Sequence, residues 1–155
     1  MTIDPALLEA TIREMLAAIP AAQSAAPAAP RGDGVFADMD GGLTTVEYSA
    51  YGVIGAITPT TNPTETVTCN AIGMLAAGNA VVFSPHERAK SLTLWQVQTL
   101  NRALHEVGAP DNLIVTVAEP SIENTNKMIA HPGVKMLVAT GGPGIVTTVL
   151  SSGKK

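Results

Sequence analysis

Four short aliphatic runs, each followed by a polar turn and then a helical pattern, leave this chain few folds to adopt. The runs are residues 53–57 (VIGAI), 80–83 (AVVF), 113–117 (LIVTV) and 136–139 (MLVA). They lack the polar alternation of a strand with one wet face, so both of their faces must be covered. Helices between such strands do the covering, and the right-handed crossovers that join them make the strands parallel. The sequence therefore predicts an α/β fold: a Rossmann-like open parallel sheet of about four strands with flanking helices. Ligands of such sheets bind beyond the carboxyl ends of the strands. Those ends are residues 58–62, 84–87, 118–120 and 140–144, and the pattern predicts one crevice built from all four turns.

The helix signals agree with the strands. Asn62 stands at an N-cap position, with Pro63 at the first helical position and Glu65 three residues on, the spacing of a capping box. The helix over 63–77 has Val67, Ala71, Met74 and Leu75 on one face and stops at Gly78. A second, over 91–107, places Leu94, Leu100, Leu104 and Val107 among its apolar positions and stops at Gly108 and Pro110. Ser121 caps a third, which runs to Ala130 and ends at His131-Pro132-Gly133. The Gly-rich turn Thr140-Gly141-Gly142-Pro143-Gly144 leads into a last helix over 145–152.

The region before residue 41 reads differently. Asp4-Pro5 opens a helix whose Leu7, Leu8, Ile12, Met15, Leu16 and Ile19 form one apolar stripe, ended by Pro20. Residues 21–40 begin as an Ala/Pro/Gly-rich run and are expected to be a flexible linker. Residues 43–49 partly alternate and suit a strand. An amphipathic helix on a linker needs a surface for its stripe, either on its own domain or on a partner.

Composition limits the function classes. The 155 residues carry a net charge of −4, with 14% charged and 46% hydrophobic residues. A nucleic-acid partner, which needs clustered Lys and Arg, is disfavoured. No run approaches the ~18 apolar residues of a membrane span, and no basic segment precedes an apolar core at the start, so the expected compartment is the cytoplasm. The single cysteine, Cys69, excludes an internal disulfide. It lies beside Val67 and Ala71 in the 63–77 helix and is expected to be a small buried apolar group. His105 and His131 lack spaced partners for a metal site, and Trp95 reads as a packing residue.

Several motifs in order carry a resemblance: GVIGAITPTTNPTET, LAAGNAVVFSPH, NLIVTVAEP, AHPGV and ATGGPGIV. Over residues 41–155 the chain resembles the cofactor domain of the aldehyde dehydrogenase superfamily. It is most similar to the CoA-acylating branch and, within it, to the propionaldehyde dehydrogenases of propanediol-utilisation microcompartments. The resemblance implies an NAD-dependent oxidation of a small aldehyde, with CoA as co-substrate taking the acyl group from a cysteine thioester. It implies that Thr58, Pro59 and Thr60 lie along the cofactor and that Ser84, Pro85 and His86 meet the adenine ribose. Pro120 would line the adenine slot, and Thr140, Gly141, Gly142 and Ile145 would approach the pyrophosphate. Many members have Lys where Ser84 stands, so NAD is implied rather than NADP. Asn62 matches the amide that stabilises the oxyanion, while the residues alone read it equally well as a helix cap. Residues 1–20 are similar to an encapsulation peptide, implying a microcompartment shell protein as partner and the compartment lumen as location. The family's long helical segment before the 43–49 strand is missing. Its nucleophilic cysteine and remaining strand align after Lys155. The expectation is thus a partial domain, inactive as this chain, with an exposed sheet edge that favours homo-oligomers. The competing expectation is a non-catalytic homologue that docks to a shell or binds a nucleotide.

Overall fold

In the computed structural model, which describes residues 34–37, 43–46 and 48–155, the four aliphatic runs pair as one parallel sheet. Strand β1 (Gly34–Ala37) and strand β2 (Leu43–Val46) precede it as an antiparallel ribbon, Gly34 opposite Val46 and Ala37 opposite Leu43. Gly34–Ala37 falls within the range expected to be linker. Val35 and Phe36, a β-branched and an aromatic residue, favour an extended backbone there once a partner strand lies within reach. The helix expected at residues 1–20 lies outside the described residues.

The sheet consists of β3 (Val53–Thr58), β4 (Ala80–Pro85), β5 (Ile114–Thr116) and β6 (Val134–Ala139). Between them run α1 (Pro63–Ala76), a 3₁₀ turn (Glu87–Ala89), α2 (Lys90–Glu106) and α3 (Ile122–Ala130), and α4 (Pro143–Leu150) follows β6. The strand order is β5-β4-β3-β6. The chain moves outward from β3 to β4 to β5, then returns over the sheet to lay β6 on the other side of β3. The order of progression therefore reverses between β3 and β6.

Side-chain alternation along each strand feeds two cores. Ile54, Ala56, Val81 and Phe83 point to the face covered by α1 and α2, where they meet Val67, Ala71, Val97, Leu100 and Ala103. Ile57, Leu137 and Val134 point to the opposite face, packed with Met128 and Ile129 of α3 and flanked by Ile145 and Val149 of α4. In β6, Val134 pairs with Val53 but Met136 pairs with Ile54, so Lys135 is one residue too many. This bulge puts Val134 and Leu137, three apart, on the same face. Gly55 is the close-packed point of that face. A Cβ there would sit 2.9 Å from Leu137 Cδ2 and 3.1 Å from Val134 Cγ1.

Both long helices end as their glycines predict. Gly78 has φ +79°, its N–H meets the Leu75 carbonyl and the Asn79 N–H reaches the Met74 carbonyl, both at 2.9 Å. Gly108 and Ala109 repeat this pair of bonds on His105 and Leu104. These are Schellman closures, which satisfy carbonyls that the helix leaves unpaired. Asn79 adds its buried side chain, accepting from Gly52 N–H at 3.1 Å and donating to the Met74 carbonyl at 3.2 Å. It thus ties the end of α1 to the entry of β3.

Three expectations need correction. Cys69 is exposed, not buried. It lies two residues from both Val67 and Ala71, and on a helix that spacing points to the far side. Leu94 and Val107 are 41% and 52% exposed, because the buried face of α2 is set by Thr93, Gln96, Val97, Leu100 and Leu104. No side chain caps α1: Asn62 Oδ1 accepts from the Thr61 hydroxyl, and Glu65 accepts from the Thr64 hydroxyl. The outer edge of β6 also gains a partner, since the Leu137 N–H donates to the Lys155 carbonyl at 2.7 Å.

Candidate functional site

At the carboxyl end of the sheet, backbone bonds tie neighbouring strand ends together, but only three of the four expected turns meet in one crevice; residues 118–120 stay outside it. His86 N–H donates to the Thr58 carbonyl at 3.3 Å, Thr140 N–H to the Ile57 carbonyl at 3.0 Å, and Val117 N–H to the Phe83 carbonyl at 2.9 Å. Above this rim lies a cleft of about 630 Å³, walled by α3 on one side and α4 on the other. It opens where β3 and β6 send their following segments to opposite faces of the sheet, which is where a gap must form.

The structure brings together Thr58, Pro59, Pro85, His86, Thr140, Gly141, Gly142 and Ile145 as cleft lining. Thr60, Asn62, Ser84 and Pro120 do not line it. Thr60 and Asn62 are exposed on the segment before α1, and Pro120 is buried, directly before Ser121 at the start of α3. Ser84 is 1% exposed, and its hydroxyl lies 2.9 Å from that of Thr125. The lining also includes Glu87, from the expected 84–87 turn, and residues that the sequence reading missed: Ser121, Ile122, Thr125, Asn126 and Thr148. A signal for the α3 group was present. Ser121 and Thr125, like Ile122 and Asn126, are four apart and so share a helix face directly after a strand end.

Thr58 belongs to the wall, but its side chain is turned inward. It is 2% exposed, yet its Oγ1 has no hydrogen-bond partner. Leaving a buried hydroxyl unpaired costs about 1–3 kcal/mol, and such groups in native proteins ask for a reason. Strand alternation places this hydroxyl with Ile54 and Ala56, on the face covered by α1 and α2, where Asn70, Thr93 and Gln96 also leave a buried polar atom unpaired.

The N-terminus of α4 is a polar feature of the cleft. Gly142 occupies its N-cap position, no side chain caps it, and Pro143 follows. The first amides of the helix are therefore left to whatever occupies the cleft, with the favourable end of the helix dipole behind them. A Cβ on Gly141 would stand 2.9 Å from Ile145 Cγ2, so glycine is what allows the turn to lie this close to α4. Opposite, Ser121 Oγ caps α3 by accepting from Asn124 N–H at 3.1 Å.

Charge in the cleft is sparse. Glu87 supplies a carboxylate and no Lys or Arg belongs to the lining, while His86 Nδ1 accepts from Arg88 N–H. The site suits a ligand held by backbone amides, hydroxyls and apolar walls (Pro59, Pro85, Ile122, Ile145). Cys69 is not part of it. Among the described residues no group of three or more His, Cys, Asp or Glu could hold a metal ion, and no helix is long and apolar enough to cross a membrane.

Comparison with known proteins places this architecture. The model of the aldehyde dehydrogenase family matches residues 5–155, and so takes in the N-terminal segment as well as the sheet. A CoA-propanoylating propanal dehydrogenase of Salmonella typhimurium is 50% identical over 116 residues, which cover 75% of this chain and 25% of that protein. The crystal structure of Rhodopseudomonas palustris propionaldehyde dehydrogenase with bound propionyl-CoA is 67% identical, with a TM-score of 0.75, over 79% of this chain and 27% of that one. A propionaldehyde dehydrogenase from the Clostridium phytofermentans fucose utilisation bacterial microcompartment is 48% identical, with a TM-score of 0.74, over 79% of this chain and 28% of that one. The chain spans about a quarter of the length of these relatives.

Proposed function

The chain belongs to the aldehyde dehydrogenase family, and from that premise we propose that it is the nucleotide-binding part of a CoA-acylating aldehyde dehydrogenase. The reaction served is aldehyde, CoA and NAD to acyl-CoA and NADH, with propionaldehyde the favoured substrate. The observation that carries the reading is the cleft at the reversal point of the sheet, lined by Gly141, Gly142 and Gly144 at the uncapped start of α4.

The residues fit a dinucleotide. Thr58 and Pro59 would run along it, with Thr60 at the outer end of the same turn. The first amides of α4, beside Thr140, Gly141, Gly142 and Ile145, would take the pyrophosphate without a cationic side chain. Pro85 and His86 would meet the adenine ribose, near Pro120 just before the start of α3. Bound NAD supplies the hydride acceptor. Glu87 favours NAD over NADP, because a 2′-phosphate beside a carboxylate with no Lys or Arg in the lining would be repelled. Asn62 is assigned to the oxyanion. Its amide is exposed at the entrance to α1, free to turn toward a reacting carbonyl.

The chemistry also needs an activated thiol, and Cys69 is in the wrong place, exposed on α1 outside the cleft. We therefore assign the 155-residue chain nucleotide binding without turnover. Titration calorimetry should give saturable NAD binding, competed by ADP-ribose and weaker for NADP. Absence of any nucleotide heat would overturn the reading. Aldehyde-dependent NADH formation that Cys69→Ser abolishes would overturn the assignment of the thiol.

The apolar stripe of residues 7–19 and the microcompartment source of one relative favour an accompanying role. Residues 1–20 would dock onto a shell protein and hold the chain in a microcompartment lumen. Deleting them should abolish co-localisation with shell protein; unchanged localisation would remove this part of the proposal.

A further inference from the structure

We propose that Ser84 is a positioning residue for the cleft: its buried hydroxyl locks the first turn of α3 onto the end of β4, and so fixes the wall on which the nucleotide lies. The proposal rests on the nucleotide-binding reading above.

The direction of the bond follows from counting hydrogens. Thr125 Oγ1 donates to the Ser121 carbonyl at 2.8 Å, and a hydroxyl has one hydrogen to give. Across the 2.9 Å contact, Ser84 is therefore the donor and Thr125 the acceptor. Ser84 thus faces α3 with its one proton already placed and with 1% of its surface exposed. It has nothing left to donate to a ligand.

Helix α3 needs such a tie at this end. Its buried residues, Met128 and Ile129, lie in its last turn, while Ile122 in its first turn is 81% exposed. Apolar packing therefore anchors the far end and leaves the cleft end to polar bonds. Most of these are local: Ser121 Oγ with Asn124 N–H, Asn124 Nδ2 with the Glu119 carbonyl, and Thr125 with Ser121. Among the described residues, Ser84–Thr125 is the hydrogen bond that joins α3 to the sheet. Ser121, Ile122, Thr125 and Asn126, which line the cleft, all belong to the turn that it holds. Without it the wall must be ordered each time a ligand binds, and affinity falls by that cost.

The test is NAD binding by calorimetry together with amide hydrogen exchange on the ligand-free chain, for Ser84→Ala, Thr125→Val, Thr125→Ser and the double variant Ser84→Ala/Thr125→Val. Ser84→Ala and Thr125→Val should each weaken binding roughly three- to tenfold, the scale of one neutral hydrogen bond. The double variant should be no weaker than Thr125→Val alone, and Thr125→Ser, which keeps the hydroxyl, should bind like the parent. The amides of Asn124 and Thr125 should exchange faster in ligand-free Ser84→Ala. Unchanged binding or unchanged exchange in Ser84→Ala would overturn the proposal, as would additive losses in the double variant. A parent chain that binds no NAD would overturn the nucleotide reading and this proposal with it. A parent that binds and a Ser84→Ala that binds equally would overturn this proposal alone.

Discussion

Replacing Thr58 with valine should make the protein more stable and leave nucleotide binding unchanged. The side chains are nearly the same size, both are β-branched, and position 58 ends a strand, so backbone and packing have little reason to move. What changes is Oγ1, buried with no partner in a residue 2% exposed. Relieving an unpaired buried hydroxyl is worth about 1–3 kcal/mol. For a domain of this size the lower half of that range is a rise of about 4–8 °C in Tm, at roughly 4 °C per kcal/mol. The hydroxyl lies on the sheet face away from α3 and α4, so the valine variant should bind NAD within about twofold of the parent. Urea denaturation gives the first number and titration calorimetry the second. A variant with lower stability would show that Oγ1 is satisfied after all. A variant with raised stability but severalfold weaker affinity would show that Oγ1 reaches the ligand.

Other outcomes follow from packing and exposure. Gly55→Ala should cost about 1–3 kcal/mol in urea unfolding, since the new methyl meets Leu137 at 2.9 Å and Val134 at 3.1 Å; a loss below about 0.5 kcal/mol would mean that β6 yields freely. Asn79→Ala should cost about 1–3 kcal/mol by removing the amide that joins Gly52 to the Met74 carbonyl, and near-neutral unfolding data would refute its role as a tie. Cys69 should react with a thiol reagent in the folded protein nearly as fast as in urea; strong protection would restore the buried reading. Sedimentation velocity should reveal concentration-dependent self-association through exposed Ile122 and Leu150, 81% and 78% accessible, and a monomer at all concentrations would count against it.

What could be read in the sequence was whatever a local rule decides. The four strands follow from uninterrupted aliphatic runs, and Gly78 and Gly108 mark helix ends because a positive φ suits glycine. The convergence of the turns after β3, β4 and β6 follows from the parallel topology alone. Cys69 was misplaced because neighbours in sequence were treated as neighbours on a helix face, and a two-residue step reverses the side. Asn62 carried every cap signal, yet its Oδ1 turned to the Thr61 hydroxyl, a competition between close partners that residue types do not decide. Ser84 was implied as a ligand contact by the family resemblance. Only the packing of α3 shows that its hydroxyl faces another side chain. The contribution of α3 to the cleft was legible in principle, from the i, i+4 spacing of Ser121 with Thr125, but needed the strand order to place that helix beside the opening.

The reversal between β3 and β6 has a bearing on how the molecule comes together in time. Val53 finds Ala80 across one short crossover, whereas Val134 reaches it only after two further strand–helix units have been laid down. Closing the longer loop is entropically dearer and slower. The β3–α1–β4 unit is then expected to assemble early, with β6 docking as a late event. Because the cleft straddles that seam, binding competence would be the final property the chain acquires, and a nucleotide would select molecules in which the last strand has already locked into register.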